Sequence, residues 1–212
     1  MFSMSTATCR RRCRRLLAGA CLLVVMDVSA DTLVQSCFGC HGPDGVSSAP
    51  HMPSIAGLNF RYFYATMQAF RKDLRGATIM NRIAKGYKSG QLQRMALYFG
   101  NQTWTGQQGD IDRAIAERGR VLHEEYCEKC HKQAGWFQDK ETPPLAGQSI
   151  GYLLYQMTDY RTASGGMRQP PLMQERLEKL SDRDLHSLAS FYASELAAPP
   201  QTTEPGQTKP QR

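Results

Sequence analysis

The feature that most constrains this chain is a five-residue motif, C-x-x-C-H, that occurs twice. One copy is Cys37-Phe38-Gly39-Cys40-His41 and the other is Cys127-Glu128-Lys129-Cys130-His131. This spacing is the attachment motif of c-type haem. Residues three apart share a helix face, so both thiols reach the two vinyl groups along one porphyrin edge. The histidine that follows is the proximal iron ligand. The sequence therefore predicts two covalently bound haem c groups. Their predicted anchors are Cys37, Cys40, Cys127 and Cys130, with His41 and His131 on the irons.

Two other uses of paired cysteines fit this pattern less well. A structural zinc site needs four ligands together, whereas the two pairs start 90 residues apart and each is followed at once by histidine. A dithiol redox motif needs a βαβ context. The sequence gives no sign of that context, so haem attachment is the interpretation for both copies.

The first 30 residues have the pattern of an export signal. Five arginines between Arg10 and Arg15 precede an apolar run, Leu16 to Met26, which is too short to span a bilayer comfortably. Val28-Ser29-Ala30 supplies small residues for cleavage. The pattern predicts a signal peptide at 1–30 and a periplasmic protein with no stable membrane insertion. A retained anchor and a lipid on Cys21 are the alternatives.

Removal of the signal changes both the charge and the cysteine inventory. The chain carries a formal charge of +7, of which the segment to Ala30 accounts for five arginines and one aspartate, leaving about +3. That is weak evidence for a polyanionic partner, and no nucleic-acid partner is expected. All four cysteines that remain lie in the two motifs, so no thiol is left for a disulfide.

The predicted first domain, residues 31–104, contains a candidate second iron ligand in Met80. A thioether is a soft donor that raises the reduction potential of haem, and Met80 lies 39 residues after His41. His51 is the competing candidate. We expect the Pro53 carbonyl to orient the His41 ring, since a ligating imidazole usually donates its other N–H to a nearby acceptor. Two basic residues at the end of an aromatic helix are candidates for a haem propionate or for a solvated helix end, namely Arg71 and Lys72.

An internal repeat predicts a second domain at 113–198, joined through a linker at 105–112. Ile55-Ala56-Gly57 matches Leu145-Ala146-Gly147 at an offset of 90, and Met95-Ala96 matches Leu188-Ala189 at an offset of 93. The inserted residues fall in the Gly- and Pro-rich stretch 165–171. At the later offset of 93, Met80 matches Met173, which is therefore the predicted ligand of the second iron. Met167 is the alternative.

Three further expectations concern the second half. Ser181-Asp182 is a helix N-cap signal. We expect His123, one turn before Cys127, to have a surface role, because His131 already holds the attachment geometry. Residues 199–212 are rich in Pro, Gln and Thr and are predicted to be disordered.

The motifs and the repeat resemble the two-haem cytochromes of the c4 type. Two segments, Thr78 to Tyr87 and Leu122 to His131, also look like the cytochrome subunit of flavocytochrome c sulfide dehydrogenase. So do Leu145-Ala146-Gly147-Gln148 and Phe191-Tyr192-Ala193-Ser194. The resemblance implies an all-α fold of two tandem class I-like cytochrome c domains. It also implies a periplasmic subunit that forms a heterodimer with an FAD flavoprotein.

The resulting functional expectation is a non-catalytic electron-transfer subunit. It accepts electrons from a flavoprotein that oxidises sulfide and passes them to an acceptor cytochrome c, and FAD is expected only on the partner. This chain has no GxGxxG motif after a strand to bind FAD itself. The alternatives are a stand-alone shuttle between a membrane complex and a terminal oxidase, and a haem peroxidase. A peroxidase needs an open coordination position, and Met80 and Met173 argue against one.

Overall fold

The computed structural model describes residues 30–106, 110–162 and 171–196. The predicted signal up to residue 29, the rival ligand Met167 and the predicted tail lie outside the described residues. The described ranges contain α-helices and short 3-10 turns but no β-strand. The first half has four helices, α1 Ala30–His41, α2 Phe60–Arg71, α3 Met80–Lys85 and α4 Ser89–Gly100. The second half has α5 Arg113–Tyr126, α6 Ile150–Thr162, α7 Pro171–Glu178 and α8 Asp182–Ser194. In these ranges, no helix is long and apolar enough to cross a bilayer.

The helices build two hydrophobic cores that share no residue. The fully buried side chains of the first core are Val34, Ala84, Leu92, Met95, Ala96 and Phe99. Those of the second core, all at most 3% exposed, are Leu185, Leu188, Ala189, Phe191 and Tyr192. In both halves the last helix supplies most of these deeply buried side chains, as its 3.6-residue apolar stripe predicts. The expected all-α fold of two tandem units is confirmed.

The second half begins its last helix with the capping interaction that the sequence predicts. The Ser181 hydroxyl accepts a hydrogen bond from the Asp184 N–H at 3.3 Å, and the Asp184 carboxylate accepts one from the Ser181 N–H at 3.1 Å. This reciprocal pair satisfies two N–H groups that have no partner inside the helix. Asp184 also pairs with Arg118 at 2.6 Å, which ties the start of α8 to α5.

The turns after the two C-x-x-C-H motifs have the same backbone hydrogen bonds and the same glycine conformation. The carbonyl of Gly45 accepts hydrogen bonds from the N–H groups of Ile55 and Ala56, at 2.8 and 3.1 Å. The carbonyl of Gly135 accepts the corresponding pair, from Leu145 and Ala146, at the same distances. Both glycines have φ of +86°, a conformation that other residues adopt only under strain. The internal repeat is therefore a repeat of backbone structure.

The two halves dock through glutamine side chains that bind backbone. Gln148 is buried, and its amide accepts from the Ser54 N–H at 2.9 Å and donates to the Ser54 carbonyl at 3.1 Å. Gln138 does the same with the Asn59 N–H, at 2.8 Å, and the Gly57 carbonyl, at 3.0 Å. These pairs satisfy backbone groups that the interface takes out of water.

Candidate haem-binding sites

The first motif lies on the last turn and a half of α1. Because α1 continues to His41, the two cysteines three residues apart project from one face of the helix. Cys37 is half-buried against the first core, whereas Cys40 is exposed, and both thiols are free. Burial lowers the pKa of His41, partly offset by a backbone hydrogen bond. The imidazole is therefore neutral at neutral pH, as a metal ligand must be.

The His41 ring is held by the residue that the sequence singled out. Its Nδ1 lies 2.8 Å from the carbonyl oxygen of Pro53. That carbonyl is an acceptor, so Nδ1 carries the proton and donates, and Nε2 keeps its lone pair for a metal. The expected interaction between Pro53 and His41 is confirmed.

The second motif lies in a hydrogen-bonded turn that follows α5. The helix ends at Tyr126, and the N–H groups of Cys130 and His131 both return to the Cys127 carbonyl, at 3.1 and 3.0 Å. Burial and the nearby His123 lower the pKa of His131 to about 4, so this imidazole is also neutral. Its Nδ1 is buried and finds no hydrogen-bond partner among the described residues. The two sites therefore differ in how their histidines are held.

The candidate methionine ligands occupy matching positions. Met80 is the first residue of α3 and packs, partly buried, against the first core. Met173, on α7, packs in the same way against the second core. In each half the methionine helix lies on the preceding helix, α3 on α2 and α7 on α6. The competitor His51 is exposed instead, with its ring 5.5 Å from that of Tyr155 in the second half.

The residues present fit a covalently bound haem. Each half supplies two free thiols, one neutral imidazole and one partly buried thioether. Buried polar atoms without a partner are rare in proteins and mark places where another group is needed. Such atoms among the described residues include His131 Nδ1, Trp136 Nε1 and Arg75 Nε.

The expected surface role of His123 is wrong. The residue is only 2% exposed, and its ring lies between the Tyr192 hydroxyl, 2.9 Å from Nδ1, and the Glu128 carboxylate, next to Nε2. The reason is that α5 packs closely along α8. A Cβ on Gly119 would lie 1.9 Å from the Ser187 carbonyl oxygen. The 3- and 4-residue spacing of Ala116, Gly119 and His123 was the available sequence signal for this buried face.

The expectation for Arg71 also needs correction. Its guanidinium is not a fully solvated helix end, because Arg71 is partly buried and Nη1 donates to the Tyr87 carbonyl at 3.2 Å; the expected propionate contact stays a prediction. In the second half Arg161 does the same to the Leu180 carbonyl at 3.1 Å. These arginines fix the segment that follows each methionine helix. Lys72, by contrast, is exposed.

Two tandem helical units, each with a C-x-x-C-H motif and a partly buried methionine on its third helix, define a di-haem c-type cytochrome. No family model matches the chain. Cytochrome c4 of Azotobacter vinelandii is 29% identical over 174 residues, covering 73% of this chain and 82% of the relative. The cytochrome subunit of sulfide dehydrogenase of Chlorobaculum tepidum is 40% identical over 77 residues, covering 36% of this chain and 69% of the relative.

Solved structures agree. The crystal structure of reduced recombinant cytochrome c4 from Pseudomonas stutzeri matches with a TM-score of 0.69 at 28% identity, covering 79% of this chain and 97% of that one. A thiosulfate dehydrogenase from Marichromatium purpuratum matches with a TM-score of 0.64 at 26% identity, covering 74% of this chain and 36% of that one. The chain belongs to the cytochrome c4-like family of di-haem cytochromes. It is therefore an electron-transfer protein.

Proposed function

We propose that this cytochrome is exported to the periplasm, where it takes electrons from an FAD-bearing flavoprotein that oxidises sulfide and delivers them to an acceptor cytochrome c. The observation that carries the proposal is the 40% identity, over 77 residues, to a protein named as the cytochrome subunit of sulfide dehydrogenase. This identity exceeds the 29% found with cytochrome c4, although it covers a shorter part of the chain.

Each bound haem would supply an iron that accepts and releases one electron. The chain's own residues attach the two groups and close the coordination of the two irons. Cys37, Cys40, Cys127 and Cys130 would hold the two haems through thioether bonds. His41 and Met80 would hold the first iron, and His131 and Met173 the second. With two protein ligands on each iron, small substrates would have no place to bind, which suits electron transfer rather than catalysis on this chain.

The docked halves suit a two-electron donor. A reduced flavin carries two electrons, and two one-electron centres in one protein can receive them in succession. The glutamine contacts of Gln138 and Gln148 hold the two units in one fixed arrangement across the interface. A fixed arrangement keeps the distance between the two centres constant, and distance controls the rate of electron transfer between them.

A stand-alone shuttle is the second candidate. The matches to cytochrome c4 favour it, because they span 73% of this chain in sequence and 79% in structure. The two functions need the same haems and differ only in whether a donor subunit is bound permanently. The match to a thiosulfate dehydrogenase adds thiosulfate as a second sulfur compound to test.

The test is purification of the native protein from its own periplasm, followed by a haem-stained gel and an absorption spectrum. We expect a flavin-bearing chain to co-elute in a fixed ratio, and sulfide to reduce the haems of that complex while thiosulfate does not. If the two-haem chain purifies alone and stays oxidised in sulfide, even with added flavoprotein, the proposed function is wrong and the stand-alone shuttle is favoured. If thiosulfate reduces the haems and sulfide does not, the electron donor oxidises thiosulfate rather than sulfide.

Matched variants that lack one haem would then identify the entry point. The double substitution Cys37→Ser with Cys40→Ser removes the first attachment site, and Cys127→Ser with Cys130→Ser removes the second. We expect only one of the two variants to keep fast haem reduction by the flavoprotein, because one haem faces the flavin.

A further inference from the structure

The junction between the two halves contains an arginine whose partners come from both. Arg75 follows α2, and its Nη1 donates to the hydroxyls of Tyr62, at 3.3 Å, and Thr66, at 3.4 Å. Its Nη2 reaches into the second half, to the Tyr152 hydroxyl at 3.4 Å and the Gln156 amide oxygen at 2.5 Å. Tyr62 and Tyr152 are equivalent in the internal repeat, at an offset of 90. The guanidinium therefore lies between two repeat-related tyrosines.

The charge of Arg75 is not neutralised by any of the described residues around it. All four hydrogen-bond acceptors are neutral groups, and the ion pairs among the described residues do not include Arg75. Its Nε is buried and has no hydrogen-bond partner there. A buried charge without a counter-charge is costly, and a buried donor without an acceptor adds about 1–3 kcal/mol. An anion bound beside Arg75 would therefore stabilise both its charge and its unpaired Nε–H.

The backbone of Arg75 is tied to the segment that carries the candidate iron ligand Met80. The side-chain amide of Asn81, the next residue, donates to the Arg75 carbonyl at 2.8 Å and to the Phe70 carbonyl at 3.2 Å. The guanidinium itself lies over the Phe70 ring, 5.2 Å from its centre. The arginine is thus fixed relative to the first haem site at both its main chain and its side chain.

We propose that Arg75 binds a propionate of the first haem and holds that carboxylate at the junction of the two halves. The inference rests on the proposed attachment of haem at the first motif. A haem propionate is a carboxylate, and the planar guanidinium fork matches a carboxylate in two parallel hydrogen bonds. Arg75 is then a positioning residue for the cofactor, and through Tyr152 and Gln156 it links the cofactor's charged edge to the second half.

A fixed cation beside the first haem has a measurable electrical effect. The oxidised iron carries one more positive charge than the reduced iron, so a neighbouring positive charge favours reduction. In a buried site this interaction is only weakly screened. Loss of the Arg75 charge should therefore make the first haem harder to reduce.

The experiment compares Arg75→Gln with Arg75→Lys and with Arg94→Gln in the full two-haem protein. Arg94 is an exposed arginine on α4, so its variant removes the same charge at a solvated position. We expect Arg75→Gln to lower the equilibrium constant for reduction of one haem about tenfold, which lowers its reduction potential by ~59 mV for one electron. Arg75→Lys should restore most of the potential, and Arg94→Gln should change neither haem. The shifted haem is identified as the one whose potential falls in Met80→His.

Resonance Raman spectra supply the second readout, because the propionate bending band reports contacts of the carboxylate itself. We expect that band to shift in Arg75→Gln and to stay in place in Arg94→Gln. Potentials measured in chloride and in phosphate at equal ionic strength should agree. A dependence on the buffer anion would instead assign the site to a solution anion and overturn the proposal.

Other outcomes separate this inference from the proposed function. Full haem content with unchanged potentials and an unchanged propionate band in Arg75→Gln would show a purely structural arginine and overturn the inference. A lower melting temperature in both Arg75 variants without any change in potential would do the same. Absence of covalent haem in the unmutated protein would instead contradict the proposed function.

Discussion

In the interior of the second half, the Nδ1 of His123 lies 2.9 Å from the hydroxyl oxygen of Tyr192. In the neutral imidazole with its proton on Nε2, the Glu128 carboxylate accepts from Nε2, and Nδ1 accepts from the tyrosine hydroxyl. The internal repeat places Leu33 and Phe99 at the matching positions of the first half, and both are buried. One half thus fills with apolar side chains the positions that the other fills with a hydrogen-bonded pair.

Substitutions that give His123 and Tyr192 the apolar side chains of the first half should measure how much their hydrogen bond contributes to the free energy of unfolding. We expect His123→Leu to destabilise the second half by about 1–3 kcal/mol, because the buried Tyr192 hydroxyl loses its hydrogen bond to His123. Tyr192→Phe should cost a similar amount. The double variant should be less destabilised than the sum of the two, since both polar partners are gone. Denaturant unfolding followed at the haem absorption measures all three, and strictly additive free energies would contradict the prediction.

The methionine ligands can be tested one at a time. A sulfur–iron bond in oxidised haem gives an absorption band near the red end of the spectrum. Met80→Leu and Met173→Leu should each remove about half of that band, because each takes the thioether from one of two irons. The control is Met52→Leu, an exposed methionine of the first half. If Met167→Leu rather than Met173→Leu removes the second part of the band, the assignment from the repeat is wrong.

The docking of the two halves should depend on Gln148. Gln148→Leu leaves the N–H and the carbonyl of Ser54 without their partner, at a cost of about 1–3 kcal/mol for each buried group. We expect the variant to unfold in two separate steps and to be cleaved more readily near residues 105–112 in limited proteolysis. Gln93→Leu, at an exposed glutamine of α4, is the matched control. A single unfolding step at the original midpoint would argue against this role.

Asp184 predicts an acid dependence of stability. Hydrogen bonds from Ser181 and Arg118 lower the pKa of Asp184 from 3.8 to about 2. Because the folded-state pKa lies below the unfolded-state value, the carboxylate stabilises the fold above pH 3.8, and this contribution is lost as the pH falls through about 2.

The variant Asp184→Asn should therefore be less stable than the unmutated protein at neutral pH, with a difference that shrinks between pH 3.8 and about 2. Asp110→Asn, at an exposed position, is the control. Thermal unfolding at a series of pH values makes the measurement. A difference that does not change over this interval would exclude Asp184 as the titrating group.

The sequence by itself determined the features that depend on local bonding or on repetition. The C-x-x-C-H spacing predicts haem attachment because it places two thiols on one helix face, followed directly by an imidazole. The spacing of apolar residues predicts α4 and α8 because the helix repeat is fixed at 3.6 residues. The orientation of His41 by Pro53 followed from what a ligating imidazole requires. The offset of 93 placed Met173 where α7 packs on the second core.

The tertiary structure decided which faces meet. The burial of His123, the contact of Arg71 with a backbone carbonyl and the setting of Arg75 were missed or misjudged from the sequence. Each depends on a partner far along the chain, such as Tyr192 for His123 or Gln156 for Arg75. A pattern along one helix records which face is apolar, but it does not record which polar group the neighbouring element brings to that face. Only the packing of the chain brings such groups within hydrogen-bond distance.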